Sequence, residues 1–137
     1  MGGWTIDWRE LYLSADGRLA RNAFWLAAGL LVGFELLYEG FFGLVAHWIT
    51  GWVVYPAVLY ASACVLSKRL HDRGRSGWWA AAILFAIILG WPQPHGFYLM
   101  LFPFLLIWAV VELALLPGEQ GANRFGPNPA RVAVAAA

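Results

Sequence analysis

The chain reads as an all-α membrane protein: four transmembrane helices in a bundle, preceded by a short N-terminal interfacial amphipathic helix. Three observations predict this. Hydrophobic residues fill 61% of the 137 positions while Asp, Glu, Lys and Arg together fill 12%, about half the charged share of soluble domains. The apolar positions gather into four runs of spanning or near-spanning length. The nine Lys and Arg fall into three clusters, each separated from the next by two of those runs.

The first 21 residues form a leading segment predicted to be cytoplasmic. In "WTIDWRELYL", Trp4, Trp8, Leu11 and Tyr12 recur at i, i+4, i+7 and i+8, the spacing of one helical face. Thr5 is the expected cap, with Asp7 in the first turn. Such a helix either lies on the inner bilayer surface or packs on the bundle's own cytoplasmic end.

Residues 22–116 hold the membrane domain, with spans at about 22–46, 48–66, 78–92 and 97–116. The first carries Glu35 and Glu39, and the second contains Pro56, where a kink is expected. The third has only 14 uninterrupted apolar positions, "WWAAAILFAIILGW", a length at which a re-entrant segment competes with a crossing. Charge decides between them. Arg9, Arg18 and Arg21 precede the first run; Lys68, Arg69, Arg73 and Arg75 lie between the second and third; Arg124 and Arg131 follow the fourth. The connections "HWITG" and "PQPHG" carry no Lys or Arg. Four crossings put every cation on one side, the cytoplasmic one by the positive-inside rule. Both termini are then cytoplasmic, and residues 117–137 form a turn-rich cytoplasmic tail whose last residues, from Arg131, are expected to be disordered.

Other classes are excluded or unsupported. The net charge of +1 leaves too few basic residues for a phosphate-binding face, so nucleic acid is not an expected partner. Cys64 is the single cysteine, so no disulfide forms within the chain. A cleaved signal peptide is not expected, because the first apolar run begins behind three acids and three arginines and is too long for one.

The loop "SKRLHDRGRSGWW" concentrates charge between two oily runs. Its cations anchor a short hairpin, Gly74 and Gly77 let the chain reverse, and Trp78 and Trp79 suit headgroup depth. Three stretches now carry a resemblance. "GRLARNAFW" contains Gly17, Arg18, Arg21, Phe24 and Trp25. The loop supplies Arg69, Leu70, His71, Asp72, Gly74, Ser76, Gly77, Trp78 and Trp79. The tail supplies Pro117, Gly118, Gly121, Asn123, Phe125, Gly126, Pro127, Asn128 and Pro129. Together these resemble the small bacterial inner-membrane proteins of the domain of unknown function 805 family, over roughly residues 8–129. Many members carry Glu where this chain has Ala23. The resemblance implies a four-helix bundle in the inner membrane and supplies no activity, because the family takes its name from not having one.

All three stretches fall on the predicted cytoplasmic face. Ser76 is placed to cap the third span. Arg69, Arg73 and Arg75, joined by Arg18 and Arg21, would form a ring for an anionic headgroup or another phosphate-bearing ligand. The competing reading makes them topology anchors, with Asp72 pairing one of them to brace the loop. His71 is expected to pack at the interface, and Asn123 and Asn128 to close turns. Phe125 would pin the tail, and Arg124 would return to Asp72.

The intramembrane acids Glu35, Glu39 and Glu112 should face a cavity or partner. Glu35 and Glu39 lie about 120° around the helix from the small stripe Gly29–Gly33, counting 100° per residue. That stripe, and Ala82, Ala86 and Gly90 on the third span, would let helices approach closely. Enzyme readings are weaker. The pair His71–Asp72 lacks further nearby ligands for a metal, His47 and His95 are predicted on the opposite side, and no catalytic motif is present. No cofactor and no metal are expected. The function read from the sequence is a non-enzymatic membrane scaffold or binding protein. Its partners would be the lipid bilayer, with anionic phospholipid on the basic face, a second copy of itself or another membrane protein. The alternative is a small oligomeric transporter or channel using Glu35 and Glu39.

Overall fold

A computed structural model describes residues 7–90 and 101–129. Trp4, Thr5, Trp91, Pro92, His95 and Arg131, all named above, lie outside the described residues, as does the start of the fourth predicted span. The described residues form five helices and no strand. The first is α1, Trp8–Leu13, capped by Asp7, whose Oδ1 accepts from the backbone N–H of Arg9 at 3.0 Å and of Glu10 at 3.1 Å. Asp7 thus takes the role expected of Thr5, because it is the carboxylate next to the free N–H groups. α1 packs on the bundle: Leu11 is buried, the Tyr12 hydroxyl donates to Ala27 O, and Tyr60 donates to Leu13 O.

α2, Arg21–Phe41, and α3, Leu44–Asp72, are both long and apolar enough to cross a membrane. Only Phe42 and Gly43 separate them, so residues 44–46, read as the end of the first span, start α3 instead. α3 also continues past its apolar stretch. Its 29 residues rise about 43 Å, against about 30 Å of bilayer hydrocarbon. Ser67 to Asp72, read as loop, is therefore helix, and Pro56 sits inside it without ending it.

α4, Trp78–Gly90, is 13 residues long. α5, Leu101–Ala109, continues directly into a π-helical segment, Val110–Leu115. The core gathers where these helices converge, around Leu19, Phe24, Ala27, Val65, Leu70, Ile83 and Leu113. Small residues make the close crossings, with Ala27, Ala80 and Ala86 buried. Gly29 and Gly33 do not take that role. A Cβ on either would meet nothing within 4 Å, because α2 turns Ala27 toward its neighbours.

Candidate functional site at the polar end of the bundle

The sequence Arg69-Leu70-His71-Asp72 gives α3 a last turn whose side chains are buried, although three of the four are polar. Such burial is costly unless every charge and donor is met. Here they are. Asp72 accepts from Arg18 Nε at 3.1 Å and pairs with Arg18 Nη2 at 3.0 Å, while its other oxygen pairs with Arg69 Nη1. Arg69 is fully buried. Its Nε donates to Leu113 O at 2.8 Å, Nη2 to Leu116 O at 2.7 Å and Nη1 also to Leu19 O at 3.3 Å. Arg18 donates onward to Glu119 O at 2.7 Å, Gly121 O at 2.7 Å and Gly126 O at 3.3 Å. Two guanidinium groups and one carboxylate leave one positive charge in excess, and two of the carbonyls that Arg69 reaches, Leu113 O and Leu116 O, belong to a helix C-terminus, the negative end of its dipole.

That C-terminus is the end of the π segment. A helix leaves its last four carbonyls without helical partners, and here side chains supply the donors in succession. Leu113 O accepts from Arg69, Ala114 O from the Trp25 indole at 3.1 Å, and Leu115 O from Arg21 at 3.0 Å. Leu116 O accepts from Arg69 again, and Pro117 O from Arg73. Five consecutive carbonyls are thus capped from α2, α3 and Arg73 just beyond it. Glu112, buried in the same segment, faces Arg73 at 3.3 Å and Arg75 at 3.4 Å. Arg75 also lies over the Trp108 ring.

The loop after α3 closes by a Schellman turn. Gly74 N donates to His71 O at 3.0 Å and Arg75 N to Leu70 O at 2.8 Å, with Gly74 at φ +68°. Ser76 Oγ accepts from Trp78 N at 3.4 Å at the start of α4, the capping position predicted for it. Gly77 brings α4 against α3, where a Cβ would run into Ser67 Oγ and His71. Trp78 is 84% exposed, and Trp79 packs on Trp108.

The tail folds over this end. Asn123 donates to His71 O at 2.9 Å, accepts from Phe125 N, and exchanges both backbone hydrogen bonds with Gly126. Phe125 stacks on the His71 ring at 3.8 Å between centroids, and Arg124 covers its other side. His71 is thus buried under Phe125. Arg124 does not return to Asp72, whose two oxygens are taken by Arg18 and Arg69. His71 Nδ1 donates to Gly17 O at 3.1 Å. His71 lies beyond the apolar stretch of α3, and burial pushes its imidazole below the ordinary value, a shift opposed by the bond to Gly17.

The structure therefore brings Arg18, Arg21, Arg69, Arg73, Arg75, His71, Asp72, Glu112, Asn123 and Gly126 together at one end. Sequence reasoning missed Lys68, buried with its ammonium on Glu10 O. Gly118, read from the sequence only as part of the tail's resemblance, lies where any side chain would collide with Asp72. Glu35 and Glu39 lie far from this cluster, near the α2–α3 turn. Tyr55 donates to Glu39 at 2.6 Å, and His47 faces Glu39 at 3.3 Å. Among the described residues no group of three His, Cys, Asp or Glu is arranged to hold a metal.

A family model described as protein of unknown function DUF805 matches residues 12–127. The chain is 32% identical over 138 residues to the uncharacterized protein YiiR of Escherichia coli (strain K12), covering 88% of each. It is 26% identical over 137 residues to the inner membrane protein YhaH of the same strain, covering 92% of this chain and 95% of the relative. Against the inner membrane protein YhaI it is 26% identical over 139 residues, covering 92% and 94%. No solved structure matches.

Proposed function

The chain belongs to the family of proteins of unknown function DUF805, and from that premise we propose a non-enzymatic, multi-pass protein of the bacterial inner membrane. In this reading four helices cross, both ends are cytoplasmic, and the polar end is a platform for anionic phospholipid headgroups. Two relatives carry the printed name inner membrane protein. Every described Lys and Arg lies in α1, the loops or the helix ends of the polar end, as the positive-inside rule asks of a cytoplasmic face.

One observation carries the binding role. Arg18 and Arg69 are enclosed and occupied by protein acceptors, whereas Arg21 and Arg75 stay exposed, beside exposed Trp25 and Trp78. Exposed guanidinium forks among interfacial tryptophans suit the phosphate layer of a bilayer. The same saturation supports a non-enzymatic role. Asp72 has both oxygens engaged and His71 is tied at Nδ1 and stacked, so neither is placed to exchange protons with a substrate.

The test is native mass spectrometry on protein released from vesicles of phosphatidylethanolamine and phosphatidylglycerol in equal amount. Phosphatidylglycerol should be retained in several-fold excess over phosphatidylethanolamine. The Arg21→Gln/Arg75→Gln double variant should lose that excess. Retention that follows bulk composition in the wild type would remove the headgroup reading. A second reading, proton or cation movement, is favoured by Glu35, whose Oε2 is buried with no hydrogen-bond partner among the described residues. Proton flux into vesicles that disappears in Glu35→Gln would carry it.

A further inference from the structure

We propose that the cleft between α2 and the α5–π helix seats the hydrocarbon of one anionic phospholipid, with its phosphate held by Arg21. The inference rests on the headgroup reading and gives it a place and an occupant. The cleft is a cavity of about 460 Å³ between α2, α3, α4 and the last helix. Ala28, Leu31, Val32, Ile83, Leu106 and Val110 line it, and Ser62 brings the single hydroxyl among its lining side chains. Such a surface offers water no set of hydrogen-bond partners, so the space is filled by hydrocarbon or left dry.

Three features narrow the occupant. First, the cleft opens sideways: Trp25, Val32 and Val110 line it yet are 54%, 59% and 56% exposed. Its filling therefore comes from the surroundings of the bundle and not from its core. Second, its length matches the hydrocarbon of one leaflet. From Phe24 to Val32 the cleft runs along α2 for about 12 Å, close to the half-thickness of about 15 Å that one leaflet presents.

Third, charge marks one mouth. Arg21 stands one turn before Trp25 on the same face of α2. Its Nη1 caps Leu115 O at 3.0 Å, next in the chain to Ala114 of the cleft lining, and the residue is exposed. A phosphate there would meet a guanidinium already fixed in place, with its remaining N–H groups available as a fork. The π segment sets the opposite wall. Its extra residue per turn widens the helix beside Leu113 and Ala114, both of which line the cleft.

The test uses the full chain in the same two-lipid vesicles. Wild-type protein should keep one phospholipid per chain through gentle detergent release and into the gas phase. Ala28→Phe fills the cleft from within, and Val32→Trp blocks it at an exposed rim position that the fold does not need. Both should lower the retained fraction at least tenfold while circular dichroism and thermal unfolding stay as in the wild type. Arg21→Gln should keep some lipid but lose the preference for phosphatidylglycerol, and Arg21→Lys should restore part of it. Undiminished retention in both cleft variants overturns the proposal. If Arg21→Gln/Arg75→Gln still abolishes the phosphatidylglycerol excess in that case, the headgroup reading stands without the cleft. A wild type that holds lipid with no preference removes both the headgroup reading and the phosphate contact of Arg21. A lipid-free dimer in place of the lipid-bound chain assigns the cleft to a second copy and overturns the lipid.

Discussion

The two ends of the α2–α3 hairpin use similar residues to opposite effect. At the polar end, Asp72 joins Arg18, 54 positions away, and Arg69 bonds to Leu113, 44 positions away. Side chains there are 0–4% exposed. At the far end, Glu39 bonds to Tyr55 across 16 positions and pairs with His47, and the Glu39 side chain is 52% exposed. Tyr38 is buried beside them, donating to Thr50 at 2.8 Å, while Thr50 itself donates to Ala46 O. The far cluster ties two helices that the chain already holds adjacent. The polar cluster ties α2, α3, the last helix and the tail, which the chain does not. Buried charge is placed where it selects one assembly among several, and partly exposed charge where connectivity has already selected it.

The sharpest way to break this comparison is Asp72→Ala. It leaves two guanidinium groups enclosed without their counter-ion, which costs about 3–5 kcal/mol for a buried pair. Denaturant unfolding in detergent should show that loss, together with faster proteolysis of the tail after residue 116. A smaller effect follows from His71. Its folded-state affinity for protons is depressed, so the unfolded chain takes up more protons as pH falls below the ordinary value of 6.5. Stability is therefore complete above that pH and declines as pH drops from 6.5 toward the lower folded-state value. His71→Phe, keeping the stack on Phe125, should flatten the pH dependence of the melting temperature. The smallest effect belongs to Glu39→Gln, at about 0–1 kcal/mol for a half-exposed pair. A loss as large as that of Asp72→Ala would erase the distinction between the two ends.

Much of this arrangement was legible in the sequence. The order and character of the helices follow from apolar runs, and cation clustering pointed to one end as special. Ser76 and Gly74 sit where local capping and turn rules put them, because such rules depend on neighbours a few residues away. What escaped is non-local. Ser67 to Asp72 reads as a loop because charge after an apolar run usually marks solvent. Helix continues there because its charges are met from distant parts of the chain: Arg69 by main-chain carbonyls 40 or more positions later, Asp72 by Arg18 and Lys68 by Glu10 O. The same reason hid the partner of Asp72: spacing offers Arg69, but Arg18 reaches it only once α2 and α3 have packed. The π segment left no mark that residue type alone would disclose, and the Gly29–Gly33 stripe misled because small residues permit close approach without requiring it.

The capped carbonyls at 113–117 also set an order of assembly. Their donors, Arg21, Trp25, Arg69 and Arg73, leave the ribosome well before the acceptors do. A growing chain that has made α2 and α3 thus holds donors whose main-chain acceptors do not yet exist. The last helix arrives as the missing counterpart and closes the bundle from the inside. Translation that stops before residue 113 leaves Arg21, Arg69 and Arg73 without these main-chain acceptors.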